Sequence, residues 1–315
     1  MTEESSPIGT VRPWKFTEVL DGVFRTLRTN LRSVWMVCGT FIGLGTFFLY
    51  FSIYQLESSQ GGIYFAPYDT PLSSSHPEEW MSLVISGMLY ILSRWFLGPL
   101  AGASVVGITR GFLRREAAVS VKQAFRLAVR FGGRTLATML LKWLLIMVAA
   151  IVPLVPGLWV GWAGWWQVAS VLLFPGSLVS LGLLVFFNIR FFLAAPVILE
   201  ENIAYWGALK RSWGLTRWSF WRTFGLLFLL TLILYVFNML PSLAQLLLMI
   251  PAEMFLPLEW FWMANLVQAF FMSVLTALLA APIWIMATLV YFERRARKEG
   301  LDLFRETSRL EESAP

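Results

Sequence analysis

VASVLLFPGSLVSLGLLVFFNIR, residues 168–190, carries no charge until its last residue, Arg190. Four tryptophans, Trp159, Trp162, Trp165 and Trp166, stand just before it. The hydrocarbon core of a bilayer is about 30 Å thick and takes about 20 apolar residues of helix to cross. The segment therefore predicts a transmembrane helix. Its ends add a direction: indole rings suit the headgroup layer, and arginine is retained on the cytoplasmic side.

Five further stretches read the same way, at 33–54, 82–108, 135–156, 223–250 and 261–292. The second, fifth and sixth spans in chain order are long enough to tilt or protrude. Pro99, Pro175, Pro241 and Pro282 are expected kink points, because proline lacks an N–H and crowds the preceding turn. Of the 25 Lys and Arg residues, all but Arg94 and Lys142 fall in the N-terminal segment, the C-terminal tail, the second and fourth connections, or the helix ends beside them. The connections at 55–80, 157–167 and 251–260 contain none. This asymmetry predicts both termini in the cytoplasm.

Composition agrees. Hydrophobic residues make up 57% of the chain and charged residues 14%, which rules out an ordinary soluble domain. Sixteen tryptophans are present, many at predicted span ends. The net charge of +6 follows from the inside-positive pattern and from attraction to anionic lipid, so no nucleic-acid partner is expected. The single cysteine, Cys38, and the single histidine, His76, leave no basis for a His/Cys metal centre or a nucleophile–histidine pair in the membrane. No phosphate loop, dinucleotide fingerprint or metalloprotease motif occurs, and neither cofactor nor metal is expected. Residues 1–32 carry charge throughout and lack an apolar core, so no cleavable signal peptide is expected.

Each pair of spans is preceded by a basic amphipathic segment. In the first, Phe16, Val19, Leu20, Val23, Phe24, Leu27 and Leu31 recur at helical spacing. In the second, Ser120 and Gln123 form a capping box before Val121, Ala124, Phe125, Ala128 and Val129. In the third, Asn202 is expected to cap a helix with Ile203, Trp206, Leu209 and Trp213 on one side, and Glu200-Glu201 to face its N-terminal dipole. Such helices lie in the cytoplasmic interface or pack beneath the spans as a docking surface. The expected fold is all-α: a polytopic bundle of six transmembrane helices with three cytoplasmic interfacial helices. The order of elements suggests a threefold parallel repeat within one membrane domain, with units at 13–115, 119–200 and 202–298 and a short cytoplasmic tail at 299–315.

Three stretches carry a family resemblance. They are RPWKFTEVLD (12–21), GALKRSWGLTRWSFWRTF (207–224) and LVYFERRARKEGLDLF (289–304). Together they resemble the bacterial membrane-domain family named after glycerophosphoryl diester phosphodiesterases. Some members join this domain to a soluble catalytic barrel of about 250 residues, for which the stretch after the last span has no room. The resemblance implies a stand-alone, multi-pass protein of the bacterial cytoplasmic membrane, without the activity in the family's name.

The residues that invite a function are cationic. Arg94 sits near the middle of the second span, where an arginine is costly and either meets a lipid phosphate or a wet cavity, or snorkels. Lys142 lies about 10 Å inside the third span and can reach the cytoplasmic surface. Arg110, Arg190, Lys210, Arg211, Arg294, Arg295, Arg297 and Lys298 are candidate contacts for anionic lipid or for a cytoplasmic or membrane protein partner. The first expectation is a non-enzymatic scaffold or regulator of partners or lipids. The second is a transporter or lipid-handling protein with a central cavity near Arg94. A membrane enzyme acting on lipid comes last.

Overall fold

The computed structural model describes residues 15–59, 77–113, 120–255 and 260–299. Regular structure among them is wholly helical: α1 (Phe16–Thr29), α2 (Leu31–Cys38), α3 (Leu44–Ser59), α4 (Pro77–Leu92), α5 (Gly98–Leu113), α6 (Val121–Ile151), α7 (Val155–Trp162), α8 (Trp166–Arg190), α9 (Ala194–Glu201), α10 (Tyr205–Thr216), α11 (Phe220–Phe255) and α12 (Phe261–Glu299). Six stretches are long and apolar enough to cross a membrane, and each overlaps a predicted span. Their outward faces stay apolar. On α8, Val171 is 71% exposed and Phe174 70%. Such a surface would aggregate in water and suits hydrocarbon. The protein is an all-α, multi-pass membrane protein.

Pro175 and Pro282 lie inside the continuous helices α8 and α12, and Pro241 inside α11. Interruptions occur at other points, one of them beside Pro99. Two π-helical segments, Gly39–Gly43 and Ser93–Leu97, interrupt the first and second spans. Pro99 accounts for the second. It has no N–H for the carbonyl four residues back, so the helix widens ahead of it and the Gly98 N–H reaches five residues back to the Ser93 carbonyl. A 3₁₀ turn at Val152–Leu154, around Pro153, divides α6 from α7.

The capping box forms as read. The Ser120 N–H donates to Gln123 Oε1 at 3.0 Å, and the Gln123 N–H to Ser120 Oγ at 3.3 Å. The helix it starts is not a separate surface helix, however, since α6 runs unbroken from Val121 to Ile151. The Gly132-Gly133 pair costs propensity but removes no hydrogen bond, so nothing stops the helix. The first and third basic segments are separate helices. Asn30 parts α1 from α2, and a 3₁₀ turn at Arg217–Ser219 parts α10 from α11. Asn202 departs from its expected role. It ends α9 in a left-handed conformation (φ 55°), while Ala204 precedes α10 with no side-chain cap. Glu200 and Glu201 consequently close one helix instead of opening the next.

The chain divides into two compact units. One holds residues Met1–Gly22, Gly133–Leu227 and Met286–Pro315, the other Val23–Gly132 and Phe228–Ile285. Their boundaries fall inside α1, α6, α11 and α12 and do not follow the repeat-like divisions of the sequence.

In the second unit, α5 is buried almost end to end and is built from small residues: Gly98, Ala101, Gly102, Ala103, Ser104 and Gly107. Helices in lipid approach closely through such positions. Ring atoms of Trp284 lie within 2.8 Å of where a Cβ on Gly102 would sit, and Ser104 Oγ donates to the Ala124 carbonyl at 2.7 Å. Gly45 is equally constrained: a Cβ there would collide with the Ser93 side chain and come 2.8 Å from the Leu89 carbonyl. The Ser52 and Ser86 hydroxyls bond across α3 and α4, and Asn265 Nδ2 donates to the Tyr54 carbonyl at 3.2 Å.

In the first unit, Ser180 Oγ on α8 donates to the Ala150 carbonyl of α6 at 2.6 Å. Tryptophans are exposed at both ends of α8. Trp159, Trp162, Trp165 and Trp166 stand at its start, and Trp206, Trp218 and Trp221 follow its end. Exposed tryptophans of this kind suit the membrane–water interface.

Gly45→Ala should lower stability by about 1–3 kcal/mol, the usual cost of overpacking a tight contact. Gly87→Ala on α4, where a Cβ meets nothing within 4 Å, should be neutral or slightly stabilising. Unfolding of the two variants in detergent, monitored by circular dichroism, measures the difference.

Candidate functional site

The densest polar chemistry among the described residues lies in the first unit, where α8 ends and α9, α10 and the last turns of α12 follow. Sequence dictates the local layout. After Arg190 the run Phe191–Leu199 is wholly apolar and every residue is buried. Pro196 falls in the first turn of α9, where its missing N–H is harmless. The first polar residues, Glu200 and Glu201, come where α9 stops. On α10, Ala208, Leu209, Ser212, Leu215 and Thr216 are buried, a helical stripe, while Lys210 is exposed.

Ser212 joins these pieces. Its hydroxyl donates to the Arg190 carbonyl at 2.8 Å and accepts the Leu193 N–H at 3.2 Å. Thr216, one turn on, donates to the same carbonyl at 3.3 Å. Backbone groups orphaned at the end of α8 are thereby satisfied.

Glu201 is the centre of the ionic network. Arg211 Nε lies 2.9 and 2.8 Å from its two carboxylate oxygens, and the Tyr291 hydroxyl donates to Oε1 at 2.9 Å. Arg295 Nη1 in turn donates to the Tyr291 oxygen at 3.4 Å. Further along α12, Glu293 pairs with Arg222 of α11 at 2.8 Å and with Arg297, one turn away, at 2.9 Å. Glu201 and Glu293 thus tie α9, α10, α11 and α12 together through Arg211, Arg222 and the Tyr291 hydroxyl. Glu201, which accepts from two side chains, is a structural acceptor.

The connection from α9 to α10 is under strain. Asn202 and Tyr205 both have φ of 55°, a costly value for an aromatic residue. Two side chains of α6 hold it. Arg134 donates to Asn202 Oδ1, and Thr138 Oγ1 accepts the Tyr205 N–H at 2.9 Å.

Arg190 takes another environment. Its guanidinium carbon lies 5.0 Å from the ring centre of Phe186, 4.9 Å from Trp213 and 5.4 Å from Phe220. Nε and Nη1 are buried and hydrogen-bond to nothing among the described residues, so the ring faces receive the charge. Arg294 is 8% exposed, and its Nε and Nη2 likewise have no hydrogen-bond partner there.

The remaining predicted residues scatter. Arg94 lies in the π-helical segment of the second span with its side chain exposed. Lys142 is half-buried, its Nζ 5.4 Å from the centre of the Trp143 ring. Arg110 is half-buried at the end of α5. The side chain of Lys298, together with His76, lies outside the described residues. No group of three His, Cys, Asp or Glu side chains suited to a metal occurs among the described residues.

Sequence reasoning did not single out Tyr291 or Glu293 and gave Glu201 a different task. Only Glu293–Arg297 carried a readable signal, the four-residue spacing of a helical ion pair. Tyr291 and Glu201 meet across 90 positions, and nothing local announces that. No protein family, curated protein or solved structure matches this chain.

Glu201→Gln should destabilise the protein by roughly 1–3 kcal/mol, because two donors lose their charged acceptor. Arg211→Met should then cost much less in the Glu201→Gln background than alone. A double-mutant cycle read by unfolding in detergent measures the coupling, which should fall within about 0.5–3 kcal/mol.

Proposed function

We propose that this chain is a non-enzymatic, multi-pass protein of a bacterial cytoplasmic membrane that scaffolds or regulates protein partners or lipids on the cytoplasmic side. The observation that carries this reading is the Glu201–Glu293 network. It fixes α9, α10 and the ends of α11 and α12 as one assembly, with Lys210 and Arg217 exposed beside it. A preformed basic platform next to membrane spans suits anionic headgroups or an acidic partner surface. The inside-positive charge pattern supports a cytoplasmic position for this platform and for both termini. The resemblance to the phosphodiesterase-associated membrane domains favours the same reading.

Orientation is tested by thiol labelling. Cys38 is fully buried, so the native background is low. Ser74→Cys should react with an impermeant maleimide in intact cells. Reaction only after the cytoplasmic side is opened would overturn the topology.

The binding role is tested with a photo-crosslinking residue at position 210 or, as control, at 159 beyond the other end of α8. Adducts of protein or anionic lipid should form several-fold more at 210. Equal yields at the two positions would count against a cytoplasmic platform.

A further inference from the structure

The second unit contains an apolar cleft of about 530 Å³ that the function proposed above does not use. Its wall includes Trp35, Gly39, Leu44 and Phe47 from the first span, Phe125 from α6 and Phe270 from α12. From the geometry of this cleft we infer that it binds one acyl chain of an anionic membrane lipid, with the headgroup held by Arg32, Lys122 and Arg126. The inference needs only that the chain spans a membrane, and is independent of the platform in the first unit.

The cleft offers hydrocarbon and nothing else. Its two hydroxyls are already committed: Thr40 Oγ1 donates to the Met36 carbonyl at 2.7 Å and Ser273 Oγ to the Phe270 carbonyl at 2.8 Å. A ligand with buried polar groups would find no partner there, which is costly. The cleft is open to the outside. Leu44 is 61% exposed, Phe270 58% and Trp35 37%, all on membrane-crossing helices, so the medium at its mouth is lipid.

Its dimensions fit one leaflet. From Trp35 to Phe47 the first span rises about 18 Å, at about 1.5 Å per residue. Half of a hydrocarbon core about 30 Å thick is about 15 Å. One extended acyl chain of a single leaflet spans the same length.

Charge fixes the direction. Arg32 lies three residues before Trp35, and Lys122 three residues before Phe125, each one turn nearer the helix start on the same face. Arg126 follows Phe125, and all three side chains are exposed. On the helices that line the cleft, Glu57 belongs to the far end of the first span, and Glu293 and Glu299 of α12 lie more than twenty residues beyond Phe270. One end of the cleft is therefore cationic, as a phosphate headgroup requires.

Gly39 makes the inference testable without unfolding the protein. It sits in an ordinary right-handed helical conformation (φ −60°, ψ −44°), and a Cβ there would meet nothing within 4 Å. Gly39→Phe should fill the cleft and leave the melting temperature near that of the parent. Val274→Phe, on the opposite wall, is the second plug should the first fail to fold.

The full-length chain, purified in mild detergent and offered equimolar phosphatidylglycerol and phosphatidylcholine, is read by native mass spectrometry. The parent should retain one phosphatidylglycerol per chain, roughly tenfold over phosphatidylcholine. A folded plug variant should lose it. The triple variant Arg32→Gln, Lys122→Gln, Arg126→Gln should still retain one lipid but without headgroup preference. Equal retention in parent and plug variants would overturn the proposal, as would equal retention of the two lipids by the parent. A dimer that disappears on plugging would also overturn it, by making a second copy the occupant. Loss of lipid from the triple variant but not from the plug would mean binding by surface charge alone.

Discussion

Hydrocarbon gives a peptide group nothing to bond with, and this constraint governs the whole molecule. Each N–H and C=O within a span has to be satisfied by the chain itself, which leaves helices as the form available to segments of this length. The same pressure explains small features. Hydroxyls at Thr40, Thr46, Thr109 and Thr138 all donate to the carbonyl four residues back. Where Pro99 withholds its N–H, the helix shifts to a wider register, and the Gly98 N–H bonds the Ser93 carbonyl. At the end of α8, where the ladder must stop, Ser212 and Thr216 take over the Arg190 carbonyl.

Because that constraint acts locally, much of the fold is legible in the sequence. The six spans follow from length and hydropathy alone, and the Ser120–Gln123 box follows from side-chain chemistry at a three-residue spacing. Features decided by competition between neighbours were harder to read. The break expected after the second basic segment does not occur, because Gly132-Gly133 weakens a helix without severing it. Asn202 carries both a capping side chain and a tolerance for left-handed backbone. Tertiary bonds from Arg134 and Thr138 select the second property. The candidate site was the least legible part. Its cations were visible, but their carboxylate partners lie 10 and 71 positions away, for Arg211 with Glu201 and for Arg222 with Glu293.

Counting basic residues gives the orientation of a membrane protein and says little about which of them act. The cations near α10 and α12 fall into distinct physical states. Arg211, Arg222 and Arg297 are held by carboxylates. Arg190 is held by aromatic faces, which leaves its charge intact but spreads it over rings. Lys210 and Arg217 are exposed, Arg217 with its guanidinium 5.5 Å from the centre of the Trp218 ring. Lys210 meets a headgroup or a partner without first giving up an internal contact. The first class sets the shape on which Lys210 and Arg217 are displayed.

The ionic network and the apolar cleft have opposite physical requirements. Ion pairs need some water or a dense set of donors, because the desolvation of both charges is otherwise too costly. They gather where helices leave the hydrocarbon. The apolar cleft has the opposite requirement: it stays available to hydrocarbon only while its few hydroxyls remain occupied by their own helices. The π-helical segment at Gly39–Gly43 contributes here, since a wider turn bearing glycine at both ends removes side-chain bulk from one wall while leaving the backbone bonded. A bulge that elsewhere would be a local defect in a helix thus becomes, in a lipid-facing span, a way to make room without exposing a single peptide group.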